Sequence, residues 1–282
     1  MDNLVKKVGI TGANGLLGQN ILKYFASLGY LVKGFTSSDS SQGLTYLDLN
    51  NLTQMESKLA DIDILIHSAW VGSDRSNRDK PDVQEKNVSI AKNLMKISKN
   101  TNISRILGIG SQDELVDREQ PWKDESKMFP LTEYAKAKVE SFNIFANSSV
   151  NFTWARLFSV FGKLDKRDWI ITKAVRCLRE DTPAIFGNCS KPWSLTHVED
   201  VVIALELLIK KEVNGVINVS SLDSPSLKNH IQLLQSITKK DLFTFKPNAI
   251  PERELSRTLG VIDKIGWKPR LNREERFLEF LS

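Results

Sequence analysis

Cysteine and histidine are scarce in this chain. Its 282 residues include two cysteines, Cys177 and Cys189, and three histidines, His67, His197 and His230. Two thiols cannot build a disulfide framework. No histidine stands in ligand spacing with a cysteine or carboxylate, so no metal site is expected. His67 and His197 read as buried or turn-forming residues. The absence of a Gly-x-Ser-x-Gly elbow leaves Ser-His-Asp hydrolysis unsupported.

Long apolar runs are missing too: no segment approaches the roughly 20 uninterrupted apolar residues that cross a bilayer. The opening Met1-Asp2-Asn3-Leu4-Val5-Lys6-Lys7 lacks an apolar signal core. A cytoplasmic chain with reduced thiols and no membrane partner is the expectation. Charge of one sign does not dominate, since 39 Lys+Arg face 34 Asp+Glu and the net +5 is spread along the chain. That spread speaks against a nucleic-acid surface, and suits a phosphorylated small molecule no better than plain solubility. No repeat, low-complexity tract or clear linker interrupts the sequence. With 41% apolar and 26% charged residues, a disordered or fibrous chain is excluded.

What is present is an alternation of strand-like and helix-like segments. Val5 to Thr11 is a short apolar run ended by glycine, and Leu17, Ile21, Leu22, Phe25 and Leu28 then share one helical face. Strands follow at Tyr30–Thr36, Leu44–Leu47, Asp63–His67, Arg105–Ile109 and Asn151–Leu157. Between them lie a short helix capped by Thr53, a long one opened by Pro81, and a third over Thr132–Ala146. This rhythm predicts an α/β, doubly wound parallel sheet of Rossmann type with right-handed crossovers. After Gly162 it loosens into a helix from Trp169, a turn at Gly187–Pro192, a helix over Val198–Lys210 and a strand at Val216–Val219. The expected organisation is a dinucleotide-binding domain at residues 1–162, with returning segments near 190–220. A smaller, mainly substrate-binding lobe at 163–282 would lie over the carboxyl end of the sheet, where open α/β sheets bind ligands.

Thr11-Gly12-Ala13-Asn14-Gly15-Leu16-Leu17-Gly18 joins the first strand to the first helix. Glycines at this spacing give a tight turn, close approach of backbone to a pyrophosphate, and close helix–strand packing. The helix behind them presents unpaired N–H groups and the positive end of its dipole to phosphates. A dinucleotide is therefore expected on Gly12, Asn14, Gly15, Leu16, Leu17 and Gly18. NAD-selective sites carry a carboxylate at the end of the second strand; here Thr36, Ser37 and Ser38 stand there, with Asp39 the first acid downstream. Hydroxyls do not repel a 2′-phosphate, which favours NADP(H) over NAD(H). Asp48-Leu49 suits either an adenine contact or the cap of the next helix.

Tyr134 and Lys138 lie four apart on a predicted helix and so share a face. Phenol ionises near pH 10, too high for acid–base work at neutral pH. A fixed ammonium alongside, with a cationic nicotinamide, lowers that value. Ser111 ends the fifth strand, in the same crevice, where its hydroxyl can donate to a carbonyl oxygen on which charge develops.

With these residues the sequence resembles the extended short-chain dehydrogenase/reductases, in their NAD(P)-dependent sugar-nucleotide epimerase/dehydratase/reductase branch. Further marks are His67-Ser68-Ala69, Asn87, Arg156-Leu157-Phe158-Ser159-Val160-Phe161-Gly162, His197-Val198-Glu199-Asp200 and Lys264-Ile265-Gly266-Trp267-Lys268-Pro269. The resemblance implies Tyr134 as general acid/base, Lys138 on the nicotinamide ribose, and Ser111 polarising the substrate. Ser68 and Ala69 would line the cofactor, and a nucleoside-diphosphate sugar would be the substrate. A homodimer through the helices at 81–100 and 132–146 is also implied.

Departures from the common pattern narrow the chemistry. Dehydratases of the family carry an acid where Ser111-Gln112-Asp113 places Gln112, and a glutamine cannot protonate a leaving hydroxyl. Trp193 stands where epimerases often present an arginine to the diphosphate, and Ser159 where many members have asparagine. Trp70, Trp169, Lys173 and Trp193 are candidates for the substrate pocket, each with packing as the plain alternative. The leading expectation is an NAD(P)H-dependent reductase of a nucleoside-diphosphate 4-keto-6-deoxyhexose. The alternatives are an NAD-dependent sugar-nucleotide 4-epimerase and a non-catalytic dinucleotide sensor.

Overall fold

The computed structural model describes residues 6–38, 43–115, 122–163, 165, 167, 169–221, 223–246 and 265–282. In chain order the first elements are β1 (Lys7–Thr11), α1 (Leu16–Ser27), β2 (Leu31–Thr36), β3 (Thr45–Tyr46), α2 (Leu52–Leu59), β4 (Ile64–His67), α3 (Pro81–Ile97), β5 (Arg105–Ser111), α4 (Glu133–Ala146) and β6 (Asn151–Leu157). They are followed by β7 (Val160–Phe161), α5 (Ile170–Arg179), β8 (Ala184–Phe186), β9 (Thr196–His197), α6 (Val198–Lys210), β10 (Gly215–Val219), α7 (Leu227–Thr238), β11 (Phe243–Phe245) and α8 (Arg273–Leu281).

Seven strands form one parallel sheet in the order β10-β6-β5-β4-β1-β2-β3. A parallel sheet needs cover on both faces, and the sequence supplies it. Ile21 and Phe25 of α1 join Val201, Leu205 and Leu208 of α6 over one face. Met55 and Leu59 of α2, Ile90 and Leu94 of α3, and Phe145 of α4 cover the other. All four residues of β4 are consequently buried. The fold is the doubly wound α/β sheet that the alternation implied.

Strand order reverses between β1 and β4, which pair with each other. At such a switch point the crossovers leave on opposite faces and open a crevice beyond the carboxyl ends of the strands. A second apolar cluster, including Ile171, Phe186, Ile231 and Phe277 from α5, β8, α7 and α8, stands beside that crevice and contains both buried cysteines. Arg276 of α8 is tied to Asp200 of α6 by two hydrogen bonds, from Nε at 3.0 Å and from Nη2 at 2.6 Å.

Local details differ from expectation where two signals compete. Asn51, not Thr53, caps α2, its side chain accepting from the Gln54 amide. Both residues are cap formers; burial of Met55 and Leu59 sets the helical register and leaves Asn51 in the capping place. Strand β5 runs two residues beyond Ile109 and carries Ser111 to its very end. Val5, Asp39 and Lys264 lie outside the described residues. Among the described residues, no helix is long and apolar enough to cross a membrane.

Candidate active site

The glycine turn leaves β1 at Thr11. Gly12 has φ +68°, and a Cβ on it would meet the backbone N and Cα of Ala69 at 2.7 Å, so the turn is packed hard against the end of β4. A Cβ on Gly18 would run into the Gly12 carbonyl oxygen, which is why α1 can lie so close to the turn. At Gly15 a Cβ would meet that same oxygen, at 3.4 Å, and nothing else within 4 Å. Gly15 is the cap residue of α1, with no capping side chain and no acid in the first turn. Those features fit a pyrophosphate, which takes hydrogen bonds from a helix N-terminus and needs backbone without side chain in its way.

The turn opens on a cavity of about 670 Å³. Gly12, Asn14, Gly15, Leu16, Leu17 and Gly18 line one side, with Ser68, Ala69 and Trp70 from the end of β4. Ser111, Gln112, Tyr134, Lys138, Ser159, Trp169 and Trp193 line the rest. The end of β5 and one face of α4 thus bring Ser111, Tyr134 and Lys138 to one surface.

Their geometry follows from the short turn Gln112–Glu114 behind β5. The buried Glu114 carboxylate accepts from the Ser111 amide at 2.6 Å, from Trp154 Nε1 at 3.1 Å and from Arg156 Nε at 3.0 Å. Ser111 Oγ in turn accepts from the Asp113 amide at 3.2 Å and is hydrogen-bonded to the Tyr134 phenol. Lys138 Nζ donates to the Ile109 carbonyl at 2.7 Å and sits 5.6 Å from the centre of the Tyr134 ring.

Burial dominates the electrostatics. It pulls Lys138 down to about 7; Glu114 resists that pull and the positive Arg78 adds to it. Burial also pushes the Tyr134 phenol up, while Arg78 and the Ser111 hydrogen bond draw it back. His67, fully enclosed and facing Lys138, is held down to about 3 and so stays neutral; the Thr11 hydroxyl lies 2.8 Å from its Nδ1.

Gln112 donates through Nε2 to Ser159 Oγ at 3.0 Å, joining two candidate substrate residues across the cavity. Trp70 is fixed by a hydrogen bond from Nε1 to Gln84 at 3.0 Å, and the Trp193 carbonyl lies 2.8 Å from His230 Nε2. Five expected residues do not line the cavity. Lys173 turns its ammonium over Phe186, 5.6 Å from the ring centre. Thr36 is buried, its hydroxyl 3.0 Å from Ser38 Oγ, while Ser37 is exposed beside it. Asp48 accepts from the Asn50 amide at 2.9 Å, holding its own turn, and Leu49 is buried under α3. Ser38 carries the link to the cavity, because Asn14 Nδ2 donates to its hydroxyl at 3.1 Å.

Arg75, Arg78, Asp113 and Arg167 line the cavity as well, and sequence patterning did not single them out. A usable signal existed: Arg75 and Arg78 fall in the polar stretch directly after β4, at the sheet end where ligands bind.

Residues 8–220 match the profile of the NAD dependent epimerase/dehydratase family. The chain belongs to that family and is an enzyme of the extended short-chain dehydrogenase/reductase type with NAD-linked chemistry. Among solved structures it is similar to UDP-N-acetylglucosamine 4-epimerase from Bacillus cereus, with 19% identity, 98% of each chain covered and a TM-score of 0.88. The enzyme of the same name from Methanobrevibacter ruminantium, in complex with UDP-N-acetylmuramic acid, gives 21% identity, 98% of this chain, 97% of that one and a TM-score of 0.84. A UDP-glucose 4-epimerase from Thermus thermophilus, in complex with NAD, gives 15%, 98%, 97% and 0.83. At such identities the likeness is one of fold. No curated protein sequence matches the chain significantly.

Proposed function

We propose that the protein is a reductase of a nucleoside-diphosphate 4-keto-6-deoxyhexose and that it prefers NADPH. The observation that carries this is Gln112. It faces the cavity beside Ser111, hydrogen-bonded to Ser159, in the place where the family's dehydratases keep an acid. Without that acid no group at this position protonates a leaving hydroxyl, and carbonyl chemistry at C4 remains.

In this proposal the glycine turn and the α1 N-terminus hold the pyrophosphate, and Lys138 holds the nicotinamide ribose. A dinucleotide held by these residues would supply the hydride that the carbonyl carbon accepts. Tyr134 gives its proton to the carbonyl oxygen, which Ser111 steadies by donating a hydrogen bond as charge builds. The phenol then recovers a proton from solvent. Preference for the 2′-phosphorylated cofactor rests on Ser38, the exposed hydroxyl bonded to Asn14 at the cavity edge, and on the lack of a carboxylate at Thr36, Ser37 and Ser38.

Purified protein should consume NADPH faster than NADH with UDP- or dTDP-4-keto-6-deoxyglucose, and Tyr134→Phe should lose about 100-fold or more. No consumption of either cofactor with these keto sugars would overturn the proposal. The epimerases among the similar structures support a second possibility, 4-epimerisation with retained NAD. That enzyme would interconvert a sugar nucleotide without net change in cofactor.

A further inference from the structure

Arg78 lies on the strand-to-helix connection between β4 and α3. Its guanidinium carbon sits 3.7 Å from the centre of the Tyr134 ring, and its Nη2 is ion-paired with the Asp113 carboxylate. Both side chains are largely enclosed, and both line the cavity that holds Ser111 and Lys138. The connection is itself anchored: Asp79 accepts from the Glu133 amide at 3.2 Å, one residue before Tyr134. A cation on the face of an aromatic ring is attracted to its π-cloud, and more strongly when the ring bears phenolate charge. The same turn therefore acts in two directions. Glu114 reaches back to hold Ser111, while Asp113 reaches forward to hold the arginine that rests on the tyrosine.

We infer that Arg78, clamped by Asp113, is a positioning residue that fixes the Tyr134 ring and stabilises its phenolate. This rests on the proposal that Tyr134 is the proton donor. Other charged groups facing Tyr134 are Lys138 from its own helix, Glu114 from the turn after β5, and Arg167 ahead of α5. Lys138 is weakened as a cation by its burial; of the two guanidiniums, which keep their charge, Arg78 acts on Tyr134 more strongly than Arg167 does.

The test follows phenol ionisation directly, without turnover. Wild-type protein with NADP+ bound, carrying tyrosine labelled with 13C at Cζ, is titrated upward from neutral pH by NMR. Tyr134→Phe identifies the resonance among the four tyrosines. Arg78→Met should ionise Tyr134 at least about one pH unit higher than wild type, Arg78→Lys should fall between, and Asp113→Asn should shift it in the same direction by less. Circular dichroism and NADP+ affinity establish that each variant is folded. Equal midpoints in wild type and Arg78→Met would overturn the inference, as would a wild-type phenol still protonated when the chain unfolds. Undiminished keto-sugar reduction by Tyr134→Phe would instead sink the proposed chemistry and leave the titration result standing.

Discussion

Lys138 lays its ammonium on the face of Trp70: Nζ lies 3.4 Å from the indole centroid, while the Trp70 and Tyr134 rings meet edge to face at 5.6 Å. Packed this way and brought down to about 7, the amine is only partly protonated at neutral pH without ligand. Ribose hydroxyls that accept from Nζ favour the charged form. Binding of NADPH at neutral pH should therefore take up a proton, visible as a calorimetric heat that depends on the ionisation enthalpy of the buffer. Lys138→Met should remove that dependence. If the heat is the same in all buffers for wild type, the ammonium is already charged before binding.

Cofactor choice is testable at Ser38. The residue is exposed, and its hydroxyl accepts from Asn14 at the edge of the cavity. A carboxylate there repels a 2′-phosphate and accepts from 2′- and 3′-hydroxyls. Ser38→Asp should shift the NADPH/NADH ratio of kcat/KM towards NADH by about tenfold or more, equivalent to about 1.4 kcal/mol. An unchanged ratio would remove the end of β2 from the discrimination.

Gly18→Ala should damage cofactor binding before it damages the fold. The new methyl would press on the Gly12 carbonyl oxygen and on Ala13 Cα, forcing the turn away from α1. Overpacking of this kind costs about 1–3 kcal/mol in stability. Dinucleotide affinity should fall about tenfold or more, because the misplaced backbone is what would meet the pyrophosphate. Fluorescence titration with NADPH and a thermal melt separate the two effects.

Acid should destabilise the protein through His67. In the folded chain its imidazole refuses a proton down to about pH 3, whereas the unfolded chain accepts one near 6.5. Between those values the unfolded state binds more protons, so stability is full above pH 6.5 and falls as pH drops towards 3. From pH 7 to pH 5 this one group accounts for about 2 kcal/mol. His67→Gln should lose that much less over the same interval in urea unfolding; an equal loss would place the acid sensitivity elsewhere.

Local signals carried much of this molecule. The strand before Thr11, three spaced glycines and an amphipathic helix each depend on neighbours in sequence, as does the i, i+4 pairing of Tyr134 with Lys138. Arg78 was missed because its stretch has no periodicity, and only its place after β4 marked it. The segment is shaped by polar contacts: the Asp74 carboxylate holds the Ser76 amide and the Asn77 side chain, and Gln84 reaches back to the Gly72 carbonyl. Lys173 shows a second limit. It adjoins Ile171 and Thr172, which are buried, yet its ammonium settles over Phe186 and so leaves the cavity. Membership of a surface is decided by packing between distant elements, which no short window contains.

The pairing of β10 with β6 dictates an order of events during synthesis. Val216 to Val219 lie opposite Trp154 to Leu157, and everything from β7 through α6 is translated in between. Until Val219 clears the ribosome, β6 has an open edge of unpaired amides and carbonyls, the kind that recruits strands from other chains. A nascent polypeptide halted after Lys210 should therefore aggregate or engage chaperones, whereas extension through Gly215–Val219 closes the ladder.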